Sequence, residues 1–188
     1  MNLYIMRHAN AGVPRDNPVL DAKRALVKEG KQQCMLMAGV LNALKVQIDV
    51  ILSSPLKRSL QSAQFVATEI GFESKIITSP ALAPDADYAA FQALIAPYVS
   101  REGVLVVGHN PNLHQFAAKL LHGNGNGNGH AQASNHPTGS CIRLRKGAIA
   151  RIDMGRRPAQ LQWLIDPRLA RTIHSSVTKS SRPKTSRK

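Results

Sequence analysis

Aromatic residues, cysteines and long apolar runs are all scarce in this chain of 188 residues. Aromatic residues make up 4% of it, and there are two cysteines, Cys34 and Cys141. Two cysteines fit a reduced compartment, and each is expected as a small core residue rather than a disulfide partner. The apolar runs are too short to span a bilayer, and Arg7 and His8 interrupt the first of them early. These features predict a globular, cytoplasmic protein with no membrane span.

Acidic residues are also scarce. Eleven Asp and Glu stand against 25 Lys and Arg, which gives a formal net charge of +14 and a pI of about 10.5. This excess attracts polyanions and anionic membranes without specificity, and it concentrates phosphorylated substrates. Part of it lies in residues 168–188, which contain no Asp or Glu and are rich in Ser and Thr. We therefore predict a domain over residues 1–167 and a basic, disordered C-terminal tail over residues 168–188.

The tail has no aromatic residues between its charges, which disfavours stacking on single strands. Binding to nucleic acid or to an acidic surface is expected only through this tail.

Apolar runs alternate with helical patterns, which predicts a three-layer α/β/α sandwich with a mainly parallel central sheet. The predicted strands cover residues 3–6, 48–52, 74–77, 104–107 and 161–165, and a hairpin joins 141–144 to 148–152. The predicted helices cover 22–44, 55–70, 85–98 and 111–121. Residues 123–129 alternate Gly and Asn; they follow a helix, so we expect a flexible loop rather than a phosphate cradle.

Two histidines and two arginines stand where strands end or helices begin. Arg7 and His8 follow the first strand, Arg58 lies in the first turn of a helix, and His109 follows another strand. The carboxyl ends of strands carry ligand sites in α/β sheets. A fixed guanidinium neutralises phosphoryl oxygens, and a neutral imidazole is a nucleophile at physiological pH. Together these residues indicate a site that handles phosphate.

Taken in order, these residues resemble the histidine phosphatase superfamily, which includes phosphoglycerate mutases and acid phosphatases. The superfamily opens with a strand and Arg-His-Gly, where this chain has Arg7-His8-Ala9. It continues with Ser-Ser-Pro-Leu-x-Arg-x-x-x-Thr-Ala, matched here from Ser53 to Ala63 with Ser62 in place of Thr. It ends with an apolar strand and Gly-His, here Gly108-His109. The resemblance implies a phosphoglycerate mutase-like fold.

The branch that this chain resembles more closely is the short bacterial phosphohistidine phosphatases of the SixA type. The segment from Arg24 to Gly30 looks like that branch's Arg-Pro-Leu-Thr-x-x-Gly. Further similar segments are Leu82-Ala83-Pro84, Pro137-Thr138-Gly139-Ser140 and the closing Trp163-x-x-x-Pro167. The resemblance covers residues 1–167.

The resemblance implies a role for each matching residue. His8 would be the nucleophile that becomes phosphorylated, and Arg7 and Arg58 would bind the phosphoryl oxygens. His109 would stabilise charge in the transition state. Arg24 is a candidate further phosphate contact, with a surface charge as the alternative.

The general acid that many relatives use is not fixed by the sequence. Asp85 and Asp87 are candidates, and each is equally an N-cap for the helix that follows. Phosphohistidine leaves as an imidazole that is already protonated near neutral pH, so it needs an acid less than an alkoxide does. Three further histidines, His122, His130 and His136, flank the Gly-Asn segment, but Cys ligands and clustered carboxylates are lacking, so we expect no metal and no cofactor.

The sequence therefore predicts a phosphohistidine phosphatase that acts on a phosphohistidine-bearing signalling or phosphotransfer protein through a phospho-His8 intermediate. One alternative is a phosphatase of small phosphate esters or nucleotides, with Asp85 or Asp87 as the acid. The other is a phosphate- or nucleic-acid-binding module that uses its basic surface.

Overall fold

The computed structural model describes residues 1–122 and 142–180, and for residues 177–180 it describes the backbone alone. The strands are β1 (Asn2–Arg7), β2 (Val50–Ser53), β3 (Ile77–Thr78), β4 (Gly103–Gly108), β5 (Ile149–Asp153) and β6 (Gln160–Ile165). The helices are α1 (Pro18–Ala22), α2 (Lys28–Ala43), α3 (Lys57–Glu69), α4 (Tyr88–Ile95), α5 (Asn112–His122) and α6 (Pro167–Ser180). Short 3-10 helices follow β3 and α4, at Pro80–Leu82 and Ala96–Tyr98.

The strands of the described residues form one six-stranded sheet in the order β3-β2-β4-β1-β5-β6. Strands β3, β2, β4 and β1 pair in parallel, whereas β5 is antiparallel to both of its neighbours, β1 and β6. The sheet is thus mainly parallel, as predicted. The carboxyl ends of β2, β4 and β1 meet at one edge, which is where α/β sheets of this kind bind ligands.

Alternate residues of β1 enter two separate cores. Leu3 and Ile5 pack with α4 and α5 on one face of the sheet. Tyr4 and Met6 pack with α2, α3 and α6 on the other. This period of two places helices on both faces, which confirms the predicted three-layer sandwich. Among the described residues, no helix is long and apolar enough to cross a membrane.

The predicted tail differs from the structure. Residues 167–180 form α6, so the expected disorder is wrong for residues 168–180. The Asp166 carboxylate caps the helix by accepting from the backbone amides of Arg168 and Leu169, at 2.8 and 3.0 Å. Ala170 is 6% exposed and belongs to the core that α2 also enters. A cap and one docked small residue therefore order a segment whose composition alone indicates disorder. Residues 181–188 and the Gly-Asn segment lie outside the described residues.

The predicted hairpin is also wrong in the part that the structure describes. Residues 142–145 form no strand, and β5 pairs with β1 and β6 instead. The Lys146-Gly147 turn is present, and Gly147 has a φ of +77°, which favours glycine. The amide of Gly147 donates to the carbonyl oxygens of Arg7 and His8, at 3.0 and 3.3 Å. This turn therefore docks onto the end of β1.

Candidate active site

Three neighbouring strands bring the candidate residues together at their carboxyl ends. His8 follows β1 and its backbone amide donates to the Gly108 carbonyl oxygen at 3.0 Å. The Ser54 amide, after β2, donates to the Val107 carbonyl oxygen at 2.9 Å. His109 follows β4, which lies between β1 and β2. Strand β4 therefore makes one more hydrogen bond with the chain after β1 and one more with the chain after β2. These bonds fix the backbone next to the two histidines.

The two imidazoles of His8 and His109 face each other in the buried centre of the site. Their ring centroids lie 5.0 Å apart at an interplanar angle of 55°, and the residues are 7% and 3% exposed. The Nδ1 atom of His8 lies 2.8 Å from the Ala9 carbonyl oxygen. A carbonyl oxygen only accepts, so Nδ1 carries the proton and the lone pair is on Nε2. His8 is thereby held in the tautomer that a nucleophile needs.

His109 is held by a serine hydroxyl. Its Nε2 lies 2.9 Å from Ser54 Oγ, which also accepts from the Leu56 amide at 3.3 Å. The hydroxyl proton of Ser54 is available to donate to Nε2, and in that arrangement the ring proton of His109 lies on Nδ1. That Nδ1 is buried and has no partner among the described residues. His109 accordingly holds a hydrogen-bond donor for a group that enters the site.

Arg7 and Arg58 also hold buried donors without a partner. The Nε atoms of both are buried and unpaired among the described residues. Elsewhere their guanidinium groups are anchored: Arg7 donates to the Leu144 carbonyl oxygen at 3.1 Å, and Arg58 to the Asp21 carbonyl oxygen at 3.0 Å. Leaving buried donors unpaired is costly, which indicates that an anion satisfies them.

An aspartate organises the second arginine. Asp21 Oδ2 lies 3.1 Å from Arg58 Nη1, and Asp21 Oδ1 lies 2.8 Å from Arg24 Nε. Arg24 Nη1 also donates to the carbonyl oxygens of Ala11 and Gly12, at 3.0 and 3.1 Å. Arg24 therefore binds Asp21 and the loop after His8, and it stabilises the position of both. The hydrogen bonds to Arg24 and to the Arg15 amide hold the pKa of the Asp21 carboxyl below its usual value.

Both imidazoles are neutral at physiological pH. Burial lowers the pKa of His8 to about 3, and the nearby charges of Arg58, Arg7 and Arg24 act in the same direction. Burial lowers the pKa of His109 to about 3 as well, helped by His8 and the same two site arginines, Arg58 and Arg7. Desolvation also lowers the pKa of Arg7 and of Arg58, but a guanidinium stays charged in proteins. The site thus combines uncharged imidazoles with fixed positive charge.

Ala9 follows His8, where the superfamily has glycine, and its backbone conformation is one that alanine adopts without strain. Ala9 is fully buried, and its φ is not positive. Its amide donates to Ser62 Oγ at 3.0 Å, and that hydroxyl donates to the Arg58 carbonyl oxygen at 2.7 Å. Ser62, which replaces the usual Thr, therefore ties the loop after β1 to the helix that carries Arg58.

The loop after His8 lies directly on the first turn of α2. The Val27 amide donates to the Asn10 carbonyl oxygen at 3.1 Å. Gly30 faces the same backbone, and a Cβ there would overlap the Asn10 carbonyl oxygen. Residue 30 of α2 must therefore be glycine, because the Asn10 backbone lies too close to leave room for a Cβ.

No hydrogen bond links either candidate acid to the histidine pair among the described residues. The Asp87 side chain accepts from the Ala90 amide at 2.7 Å and is the N-cap of α4. Asp85 is exposed and has no hydrogen bond or ion pair among the described residues. Its loop is held by Asn112, which donates to the carbonyl oxygens of Ala83 and Ala86 at 3.2 and 2.7 Å.

Sequence reasoning missed Asp21, Ser54 and Asn112 as residues that position the site. Asp21 lies in α1, in a segment that the sequence presents as a loop with no motif, and its contact to Arg58 spans 37 residues. Ser54 was visible as part of Ser-Ser-Pro-Leu, but nothing in the sequence pairs it with His109. Within residues 1–122 and 142–180, no cluster of three or more His, Cys, Asp or Glu could hold a metal ion. His130 and His136 lie outside those ranges.

Neutral imidazoles, anchored guanidinium groups and unpaired donors at the edge of a parallel sheet form the kind of site that phosphoryl-transfer enzymes use. Residues 3–92 match the histidine phosphatase superfamily (branch 1). Phosphohistidine phosphatase SixA of Escherichia coli is 31% identical over 126 residues, which are 65% of this chain and 76% of that protein. The chain belongs to the histidine phosphatase superfamily.

Two further comparisons extend over more of the chain. A protein of Picosynechococcus sp. without an assigned function is 32% identical over 158 residues, 82% of this chain and 86% of that one. A solved structure of the protein histidine phosphatase SixA complexed with tungstate is 25% identical, with a TM-score of 0.73. The superposition covers 89% of this chain and 97% of that one.

Proposed function

We propose that this protein is a phosphohistidine phosphatase that removes phosphate from a protein histidine through a phospho-His8 intermediate. One observation carries the proposal: His8 is neutral, is held with its Nε2 lone pair free, packs against His109 and lies near the charges of Arg7 and Arg58. Arg7, Arg58 and His109 each hold a buried nitrogen that has no partner among the described residues. The similarity to SixA of Escherichia coli, named a phosphohistidine phosphatase, supports it.

In the first step, His8 Nε2 attacks the phosphorus atom and the phosphorus–nitrogen bond of the carrier breaks. The electron pair of that bond stays with the carrier imidazole, which leaves with a proton on its other nitrogen. Arg7 and Arg58 donate to the equatorial oxygens as charge builds up on them. Because these donors are fixed before the reaction, they need little reorganisation in the transition state.

In the second step, a water molecule attacks the phosphorus atom of phospho-His8. The phosphorus–nitrogen bond breaks, inorganic phosphate is released, and the His8 lone pair is restored. His109 donates to a phosphoryl oxygen through Nδ1 while Ser54 holds its Nε2. The related SixA structure contains tungstate, a tetrahedral oxyanion of the same shape class as phosphate.

We expect the enzyme to prefer a phosphoramidate to a phosphate ester because of how Asp85 and Asp87, the candidate general acids, are placed. An alkoxide needs a proton as it leaves. Of the two candidates, Asp87 is committed to its helix cap, and Asp85 has no hydrogen bond with either site histidine among the described residues. An imidazole leaves without such help. We expect slow turnover of simple alkyl phosphates.

The test is the intact mass of the protein after brief incubation with a phosphohistidine-bearing histidine-phosphotransfer protein. The wild type should gain one acid-labile phosphate and the carrier should lose its own, whereas His8→Ala should do neither. His122→Ala is the matched control, because an eleven-residue α5 separates it from the site by about 15 Å. It should behave as the wild type does.

Two results would contradict the proposal. One is the absence of both adduct and carrier turnover in the wild type. The other is that the wild type turns over phosphohistidine and small alkyl phosphates equally well, and that Asp85→Asn abolishes the turnover of the esters. That result would favour the ester phosphatase.

A further inference from the structure

A groove of about 530 Å³ adjoins the candidate active site at Arg7. One wall is the segment between residue 142 and β5, and the other is the start of α6. The groove therefore connects the site to the helix that composition alone did not predict. Six cationic side chains line it: Arg7, Arg143, Arg145, Lys146, Arg168 and Arg171.

Two carboxylates also line the groove, and both are already engaged. Asp166 pairs with Arg145 at 3.4 Å and caps α6, and Glu29 accepts from Asn10 and Gln33. The exposed side chains of Arg143, Arg168 and Arg171 make no ion pair among the described residues. The groove thus presents a net excess of positive charge with unpaired guanidinium groups.

The lining also excludes one class of occupant. It contains no Phe, Tyr or Trp. Stacking on aromatic side chains is the usual way to hold a nucleobase or a single strand. Arginines without aromatic neighbours instead suit carboxylates, which they bind through two parallel hydrogen bonds.

The position of the groove relates it to the substrate. His8 is 7% exposed, so a phosphohistidine must be inserted and the protein that carries it must cover the mouth of the site. The Leu144 carbonyl oxygen accepts from both Arg7 and Asn110, which holds the Arg143–Arg145 segment against the site. Residues beside the phosphohistidine would therefore lie over the groove.

We propose that this groove, defined by Arg143, Arg145, Arg168 and Arg171, docks acidic residues that flank the phosphohistidine on the carrier protein. The inference rests on the proposed function and names the substrate class more narrowly. Opposite charge raises the rate of encounter and sets the register in which the phosphohistidine enters. Arg168 and Arg171 are three positions apart on α6, so both can meet one stretch of acidic chain.

The test uses three phosphohistidine peptides of equal length, flanked by Asp and Glu, by Ser and Gly, or by Lys. The wild type should prefer the acidic peptide over the neutral one by about tenfold in kcat/KM, chiefly through KM, and about 0.5 M salt should erase the preference. Arg168→Glu with Arg171→Glu should reverse the order of the acidic and basic peptides. Arg143→Glu, on the opposite wall, should weaken the same preference on its own.

The matched control is Arg156→Glu with Arg157→Glu, which changes the net charge equally at exposed residues that do not line the groove. The control should keep the acidic preference. No preference in the wild type, or the same loss in the control, would overturn the docking proposal.

A binding measurement with an unphosphorylated peptide tests the groove independently of phosphatase activity. Fluorescence anisotropy of the unphosphorylated acidic peptide should show about tenfold weaker binding to the α6 double variant than to the wild type. If no peptide is hydrolysed but this difference persists, the proposed function fails and the groove remains an acidic-peptide site. Tighter binding of a short duplex DNA than of the acidic peptide, lost in the same double variant, would overturn the proposal in favour of nucleic acid.

Discussion

His8 is kept uncharged by burial beside arginines, and this sets how its reactivity depends on pH. With a pKa of about 3, the imidazole is neutral throughout the range in which an ordinary histidine would protonate. We expect kcat/KM for phosphoenzyme formation to stay level between about pH 7 and pH 5, whereas a nucleophile with the ordinary pKa of about 6.5 would lose about 30-fold by pH 5.

The measurement is the rate of phospho-His8 formation in single turnovers at several pH values. The carrier peptide must be checked for its own acid hydrolysis at each pH. An acid limb centred near pH 6.5 would show that the imidazole is not desolvated as the structure has it.

A substitution of Asp21 should show how much the reaction rate depends on the fixed position of Arg58. It holds Arg58 and Arg24 through its two carboxylate oxygens. Asp21→Asn keeps the size but removes the charge, so Arg58 should lose its fixed direction and the rate of phospho-His8 formation should fall about tenfold. Asp16→Asn, at an exposed residue just before α1, is the control and should have little effect. An unchanged rate in Asp21→Asn would show that the Asp21 backbone carbonyl alone positions Arg58.

The sequence predicted the residues of the site that belong to continuous motifs and missed those that hold them. Arg7, His8, Arg58 and His109 each end a strand or open a helix, and the structure brings them to one sheet edge. Asp21 could not be predicted, because its contact with Arg58 depends on how the segment that contains α1 packs across the site. The roles of these residues in catalysis stay predictions.

At the scale of elements, α2 contains two glycines that should respond in opposite ways to the same substitution. A Cβ at Gly30 would overlap the Asn10 carbonyl oxygen, whereas one at Gly39 meets nothing within 4 Å. Gly30→Ala should cost about 1–3 kcal/mol of unfolding free energy by displacing the loop after His8. Gly39→Ala should gain about 0.5–1 kcal/mol, because alanine loses less backbone entropy in a helix.

Urea unfolding checks both changes, and the rate of phospho-His8 formation checks the link to the site. Gly30→Ala should also slow the reaction, because a small displacement near reacting groups is costly, and Gly39→Ala should not. Equal stability of the two variants would mean that the loop yields without strain.

The elements with clear periodicity were predicted, and those fixed by tertiary contact were not. Strands β1, β2, β4 and β6 and helices α3, α4 and α5 lie within a few residues of where apolar spacing placed them. Helix α2 ends as predicted but begins at Lys28, six residues after the predicted start. The five-residue α1 was missed because its cap, Asn17, sits in a segment that looks like a loop. Helix α6 was missed because the basic, Ser- and Thr-rich composition after residue 167 indicates disorder, whereas the Asp166 cap and the packing of Ala170 stabilise a helix.

At the scale of the whole molecule, the site that makes the protein reactive should also make it sensitive to acid. An unfolded histidine binds a proton near pH 6.5, whereas His8 and His109 in the fold resist protonation down to about pH 3. Below pH 6.5 the unfolded state therefore binds more protons, and the free energy of unfolding falls as the pH falls. The pKa of His114 is lowered by burial and by Arg7, which acts in the same direction.

The expected slope is up to about 1.4 kcal/mol per pH unit for each of the two buried histidines between about pH 6 and pH 4. Urea unfolding at about pH 6.5 and about pH 5 separates the histidines from Asp21, because the depressed pKa of Asp21 affects stability only at lower pH. The double variant His8→Asn with His109→Asn should lose most of the slope in this window, and each single variant should lose part of it. A wild-type slope that survives in the double variant would assign the acid sensitivity to repulsion within a chain of net charge +14 rather than to the site.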